Sequence, residues 1–146
     1  MAAPREWTRS SSRRRVLRIK LRHLEAWTAR RQAIARRYRE RLAGSRVTVL
    51  VDHPRDEVVN HLFVAYVDDR DGVRAALQAR GVETAIHYPR PIHLQRAYEG
   101  LGYAPGSLPH TERACTHVMS LPLFPEMTDE QVEYAAATLA EIVGSA

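Results

Sequence analysis

From Val16 onward the apolar residues of this chain fall on one stripe. Leu17, Leu21, Leu24, Trp27, Ile34, Tyr38 and Leu42 are separated by three, four or seven positions, the spacing that puts side chains on one face of an α-helix. Arg18, Arg22, Arg30, Arg37 and Arg41 fall on the other faces and keep such a helix soluble. Gly44 supplies the left-handed residue that commonly ends a helix. The spacing therefore predicts one helix over residues 16–43. That is well beyond the usual globular length of roughly 11–12 residues, which points to a connector between domains or a dimer contact. A chain of 146 residues, 45% apolar, has room for one domain with a real core and is short for two.

The rest of the pattern alternates between strand and helix signals. Val47, Val49 and Val51 alternate as a short strand that Asp52-His53-Pro54 stops. Residues 58–67 (VVNHLFVAYV) are β-branched and aromatic, a second and better strand. The acidic run from Asp68 to Asp71 caps a helix that reaches Arg80, and Gly81 ends it. Residues 82–86 read as a third strand, and 87–109, with four prolines and three glycines, as loop with one helical turn near 94–98. Residues 109–118 read as a helix. Residues 119–124 (MSLPLF), with Pro122 inside, are at best an edge strand. Thr128 and Gln131 form a capping box for a last helix that buries Val132, Ala135, Ala136, Leu139 and Ile142/Val143. The sum is a small α/β domain with helices on one side of a few strands.

Charge divides the chain unevenly. Residues 1–46 hold fifteen basic side chains against three acidic ones, a balance of +12, and residues 47–146 hold seven against fourteen, a balance of −7. The arginines from Arg5 to Arg22 fit a phosphate-binding arm, a second function class in which the chain is a nucleic-acid-binding or regulatory module. They fit a solvated tail over residues 1–15 and the wet face of a helix better, because only Trp7 offers a stacking surface before Trp27. Nucleic acid is accordingly not an expected partner. No apolar run approaches a membrane span, no secretory signal follows the first residues, and Cys115 alone cannot form an internal disulfide. These features predict a cytoplasmic protein. Arginine outnumbers lysine 21 to 1, the mark of a GC-rich genome.

Reactive chemistry is hard to find residue by residue. The seven histidines lack metal-ligand spacing and carboxylate companions. Cys115 sits mid-helix with no base to activate it. Lys20, the sole lysine, lies in an arginine-crowded helix, unlike a desolvated imine-forming lysine. There is no GxSxG, P-loop or GxGxxG. The exception is residues 86–94, IHYPRPIHL, where two imidazoles, a phenol and a guanidinium are held between prolines. A proline-fixed loop at a strand end is a natural ligand mount; an ordinary surface loop whose His and Tyr cap helix ends explains the same residues.

Three segments carry a resemblance: VLRIKLRHLEAWTARRQAIARRYRERLAG, HLFVAYVDDRDGVRAALQARGVETAIHYPRPIHLQRAYEGLGY and ERACTHVMSLPLFPEMTDEQVEYAAATLAEI. Together they closely resemble the C-terminal part of the DegT/DnrJ/StrS family of pyridoxal-phosphate-dependent sugar aminotransferases, from about Val16 to Ile142. The markers are the LxxWxxRR helix, the HYPxPxH loop and the SLPLFPEMT run, in family order. The resemblance implies the small C-terminal domain of a fold-type-I aminotransferase: a short, mostly antiparallel sheet, helices on one side and a long N-terminal connecting helix. It implies that His87, Tyr88 and His93 border the substrate mouth and a sugar-nucleotide substrate.

In the family the imine-forming lysine and the aspartate on the pyridine nitrogen come from a large N-terminal domain, so pyridoxal phosphate is not expected to bind this chain alone and no catalytic residue is assigned. The implied partners are the sugar nucleotide and a second copy or a separate N-terminal polypeptide. Residues 4–15 (PREWTRSSSRRR) depart from the family pattern and are consistent with a shifted reading frame upstream. If one face of the domain normally packs on a large domain, Leu24, Trp27 and parts of residues 119–124 are the expected stranded surface.

Overall fold

The structure, a computed structural model, describes residues 11–50 and 58–144. Five α-helices and three strands follow in the order α1 (Ser11–Leu21), α2 (Leu24–Leu42), β1 (Thr48–Val49), β2 (Phe63–Tyr66), α3 (Arg70–Ala79), α4 (Pro109–His117), β3 (Val118–Leu121) and α5 (Asp129–Gly144). The strands form one antiparallel sheet in the order β1-β2-β3. The expected loop between α3 and α4 carries two short 3-10 segments, Ile92–Leu94 and Arg96–Leu101.

The single helix expected over residues 16–43 is two helices. At the junction the N–H groups of Arg22 and His23 bond back three residues, to Ile19 and Lys20, and His23 stacks on Trp27 at 5.5 Å. A turn tightened to three-residue bonds barely shifts the apolar spacing, so periodicity alone does not reveal the break. Residues 11–15 are already helical, ahead of the expected boundary at residue 16. At the far end the expectation holds: α2 stops at Leu42 and Gly44 has φ +76°.

Register explains the layers. Phe63 faces Leu121 and Ala65 faces Met119, and all four are buried with Val67 against the helices. α2 brings Ile34, Ala35, Tyr38 and Leu42 to this core, α3 brings Val73 and Leu77, and α5 brings Val132, Ala135, Ala136, Leu139 and Val143. α5 packs against both α2 and α3. The other residues of the ladder, Val64 with Ser120 and Tyr66 with Val118, point to the opposite face of the sheet, since successive strand side chains alternate.

Two strand expectations change. Residues 58–67 keep only Phe63–Tyr66 as ladder; Asn60 ahead of it takes a left-handed φ of +49°. The expected third strand at 82–86 is one bridge, Ala85 opposite Ser120. In that antiparallel register the next hydrogen-bonded pairs are Glu83 with Pro122 and His87 with Val118. Pro122 has no N–H, and the N–H of Val118 already caps α4 through the Ala114 carbonyl. The ladder therefore closes after one pair. Val51 and the Asp52-His53-Pro54 stop, and residues 1–10 of the basic tail, lie outside the described residues.

The expected stranded surface is part right. Leu24 is 52% and Phe124 44% exposed, together with Val16, Leu17, Ile19 and Leu21 along α1. Trp27 is half-buried, and Met119, Ser120 and Leu121 are inside the fold because β3 pairs with β2. Among the described residues no helix is long and apolar enough to cross a membrane.

Candidate functional site

The 86–94 loop is rooted on β3, at the face of the sheet turned away from α2, α3 and α5, and its far end reaches α4. Ala85 and Ser120 exchange both backbone hydrogen bonds, at 2.7 and 3.2 Å. Two residues beyond Ala85, the His87 Nδ1 lies 2.9 Å from the Ser120 hydroxyl. The peptide joining His87 to Tyr88 is cis, and the two rings meet edge to face at 5.7 Å. Tyr88 is 70% exposed, and Arg90 beyond it, between Pro89 and Pro91, is also exposed. The Pro91 carbonyl accepts the Leu94 N–H at 3.1 Å and closes the 3-10 turn that carries His93.

His93 turns inward. It is 8% exposed, its Nε2 donates to Glu112 at 3.1 Å, and its ring meets Tyr103 edge to face at 5.8 Å. Glu112, in the first turn of α4, also accepts the Gly106 N–H at 2.9 and 2.8 Å on its two oxygens and the Leu108 N–H at 3.2 Å. These backbone donors, Gly106 first, and then the His93 ring hold its carboxyl below the usual glutamate range. Of the three residues expected at the site, His87 and Tyr88 meet, with Tyr88 outward and His87 half-buried on Ser120, whereas His93 turns away from them to Glu112 and Tyr103.

Sequence reasoning missed Ser120 and Glu112. Ser120 was detectable as the one hydroxyl in an apolar strand, since a buried hydroxyl needs a partner. Glu112 follows a glycine- and proline-rich turn at a helix start, where a carboxylate meets unpaired N–H groups.

The remaining reactive side chains are dispersed. His117 stacks on Tyr66 at 4.7 Å, with its Nδ1 2.8 Å from the Arg113 carbonyl. Cys115 is half-buried in α4, and its carbonyl accepts from Arg70 at 2.5 Å. His61 and His110 are exposed, and His53 lies outside the described residues. No three His, Cys, Asp or Glu side chains among the described residues converge as a metal site would require.

A three-stranded antiparallel sheet, with α2, α3 and α5 on one face and the 86–94 loop and the end of α4 toward the other, defines a small α/β domain. The chain belongs to the DegT/DnrJ/EryC1/StrS aminotransferase family, whose model matches residues 14–140. It is 42% identical over 125 residues to the erythromycin biosynthesis sensory transduction protein EryC1 of Saccharopolyspora erythraea, covering 85% of this chain and 34% of that protein. It is 43% identical over 117 residues to the dTDP-3-amino-3,4,6-trideoxy-alpha-D-glucose transaminase of Streptomyces venezuelae, covering 80% and 31%. Among solved structures it superposes on S. venezuelae DesV in complex with a ketimine intermediate with a TM-score of 0.84 at 40% identity, covering 88% of this chain and 35% of that one. A DegT/DnrJ/EryC1/StrS aminotransferase from Brucella abortus gives a TM-score of 0.81 at 33% identity, covering 88% and 34%. The chain spans about a third of the length of these relatives.

The family depends on pyridoxal phosphate, which requires a lysine amine desolvated enough to form an imine. Lys20 is the only lysine of the sequence, and it is exposed on α1. The described residues do not fit that requirement.

Proposed function

We propose that residues 16–146 are the small C-terminal domain of a pyridoxal-phosphate-dependent nucleotide-sugar aminotransferase, with residues 1–15 a basic lead-in whose last five residues belong to α1. The reaction class is amino transfer from glutamate or a similar donor to a keto sugar carried on a nucleotide. The observation that carries this reading is the superposition on DesV at a TM-score of 0.84 and 40% identity. In this reading the imine-forming lysine and the aspartate facing the pyridine nitrogen lie on polypeptide outside these 146 residues. The cofactor supplies the electron sink for the amino transfer when it is bound there. This chain contributes the 86–94 loop to the substrate mouth: His87 and Tyr88 meet the sugar nucleotide, and His93 holds the loop from behind through Glu112. The chain alone neither binds the cofactor nor turns over, and it acts in the cytoplasm with a second copy or a lysine-bearing partner polypeptide.

The test is a titration of the full chain with pyridoxal phosphate, followed by borohydride and peptide mapping, and then the same with an added lysine-bearing large domain. That domain is taken as the part of the S. venezuelae transaminase that this chain does not cover. The reading expects no pyridoxyl label on Lys20, co-elution of the two polypeptides, and amino transfer from glutamate to a dTDP-keto sugar only in the mixture. A stoichiometric label on Lys20, or no association and no turnover in the mixture, overturns it.

A further inference from the structure

Ser120 does three things at once. It registers with Val64 across the ladder, it pins Ala85 through both backbone hydrogen bonds, and its hydroxyl lies 2.9 Å from the Nδ1 of His87. It is 4% exposed. Geometry alone leaves the direction of the hydroxyl–imidazole bond open, because a neutral imidazole nitrogen either donates or accepts. Satisfaction of the buried hydroxyl decides it. Among the described residues, His87 Nδ1 is the one side-chain or backbone group in hydrogen-bond contact with the Ser120 oxygen. If Nδ1 carried the proton, the serine oxygen would accept and its own hydrogen would be buried without an acceptor, a costly state. The bond is satisfied when the serine O–H donates and Nδ1 accepts, and the ring proton then sits on Nε2.

We infer that Ser120 is a positioning residue that holds His87 as the neutral Nε2–H tautomer, so that the loop presents a fixed hydrogen-bond donor to an oxygen of its ligand. The Nε2–H has no protein acceptor among the described residues, and the His87 ring meets that of the exposed Tyr88 edge to face. A fixed donor beside a phenol suits a hydroxyl, carbonyl or phosphate oxygen, all of which a nucleotide-linked sugar offers. The identity of the ligand rests on the proposed function. The tautomer rests on this chain alone.

The experiment has two arms. In the first, the full chain is labelled with 15N and its imidazoles are read by long-range 1H–15N correlation at a pH where they are neutral. His87 is expected to show one tautomer, with Nε2 protonated and Nδ1 unprotonated and hydrogen-bonded. In Ser120→Ala the ring signals shift to those of a solvent-averaged imidazole, and in Ser120→Thr, which keeps the hydroxyl, they return. The amide spectrum of β2 and β3 checks that each variant is folded, and if Ser120→Ala does not fold, the unsubstituted chain and Ser120→Thr still decide. A proton on Nδ1, or a ring spectrum that Ser120→Ala leaves unchanged, overturns the inference. In the second arm, the mixture with the large domain is assayed. Ser120→Ala is expected to raise KM for a dTDP-keto sugar about tenfold, the cost of one hydrogen bond, with kcat within about twofold and with rescue by Ser120→Thr. An unchanged KM overturns the ligand-donor role. An inactive mixture with the expected tautomer in the first arm defeats the proposed function and leaves the positioning role of Ser120 standing.

Discussion

The imidazole of His93 and the carboxylate of Glu112, nineteen positions apart in the chain, meet at 3.1 Å. The contact ties the end of the proline-fixed loop to the start of α4. Because Glu112 also accepts from Gly106 and Leu108, one carboxylate organises two loops that have no ladder between them. The loop is therefore held at both ends, by Ser120 under His87 and by Glu112 under His93, and the residues between, Tyr88 and Arg90, are free to meet a ligand.

Replacing Glu112 with Gln leaves a single oxygen to serve the Gly106 and Leu108 N–H groups and the His93 ring, and sets an N–H₂ group against the Gly106 N–H. Amide exchange at Gly106 and Leu108 is expected to quicken about tenfold, as loss of a hydrogen bond predicts, while β2 and β3 keep their rates. Acid does the same to the unsubstituted chain. The folded-state pKa of Glu112 is lowered, so its contribution is present above the ordinary carboxyl value of 4.5 and is lost as pH falls through the lower folded value. Equal exchange at these two amides in the variant and the unsubstituted chain would count against this role.

α2 and α5 are joined by an ionic strip. Arg30 and Arg37 reach Asp129 at 2.9 and 2.5 Å, Arg37 reaches Glu133 at 2.7 Å, and Arg41 closes the row on Glu133. Arg30 first, then Arg37, holds the Asp129 carboxyl below its usual range; for Glu133 the chief cause is Arg37. Exposed ion pairs are weak singly and are screened by salt. Asp129→Asn should therefore lower Tm by only about 2–4 °C at low salt, and the difference should shrink in about 1 M salt. A difference that survives high salt would assign the effect to the Asp129 position in the first turn of α5 and not to the strip.

The helices were legible from the sequence because their signals are local. Asp69 accepts the Gly72 N–H as the N-cap of α3, Gly81 takes φ +77°, and the buried face of α5 is the one that its spacing predicts. The strand at 82–86 was not legible, because its extent depends on two N–H groups in another part of the chain, the one Pro122 lacks and the one Val118 spends on α4. The break at Arg22–His23 escaped because three-residue turn bonds leave the apolar stripe nearly intact. At the loop, composition brought out His87, Tyr88 and His93, but their orientations depend on Ser120 and Glu112. Both lie far away in sequence, and their local signals, a hydroxyl in an apolar strand and a carboxylate at a helix start, do not say which residue of the loop each one meets.

The capping box of α5 gives a clean local test. The Thr128 hydroxyl accepts the Gln131 N–H at 3.2 Å, and the Gln131 side-chain oxygen accepts the Thr128 N–H at 3.0 Å. Thr128→Ala removes one half of this exchange and should cost about 1 kcal/mol, measured as a shift in urea midpoint at unchanged m-value. Thr128→Ser keeps the acceptor and should lose much less. Equal losses would show that the threonine methyl, not the hydroxyl, does the stabilising.

Tyr38 offers the sharpest separation of packing from polarity. Its ring is fully buried against Phe63, with centroids 4.9 Å apart, and its hydroxyl donates to the Pro122 carbonyl at 2.9 Å, next to the residue that ends β3. Tyr38→Phe keeps the ring and leaves that carbonyl without its donor, for an expected loss of about 1–2 kcal/mol. Tyr38→Ala also opens a cavity, and the loss should rise to about 3–5 kcal/mol. Burial raises the phenol pKa well above its ordinary value of 10.0, so the folded state keeps this proton after the unfolded chain has lost it. The sign follows from linkage: stability from this group is complete below pH 10 and falls as pH rises beyond it. Alkaline denaturation should therefore begin near pH 10 in the unsubstituted chain, with the Tyr38 phenolate absorbance appearing only as the chain unfolds. In Tyr38→Phe that part of the alkaline slope should vanish even though the variant is less stable at neutral pH. A phenolate signal that develops in full while the amide spectrum stays native would mean that the hydroxyl is reached by solvent and that its bond to Pro122 is not kept in solution.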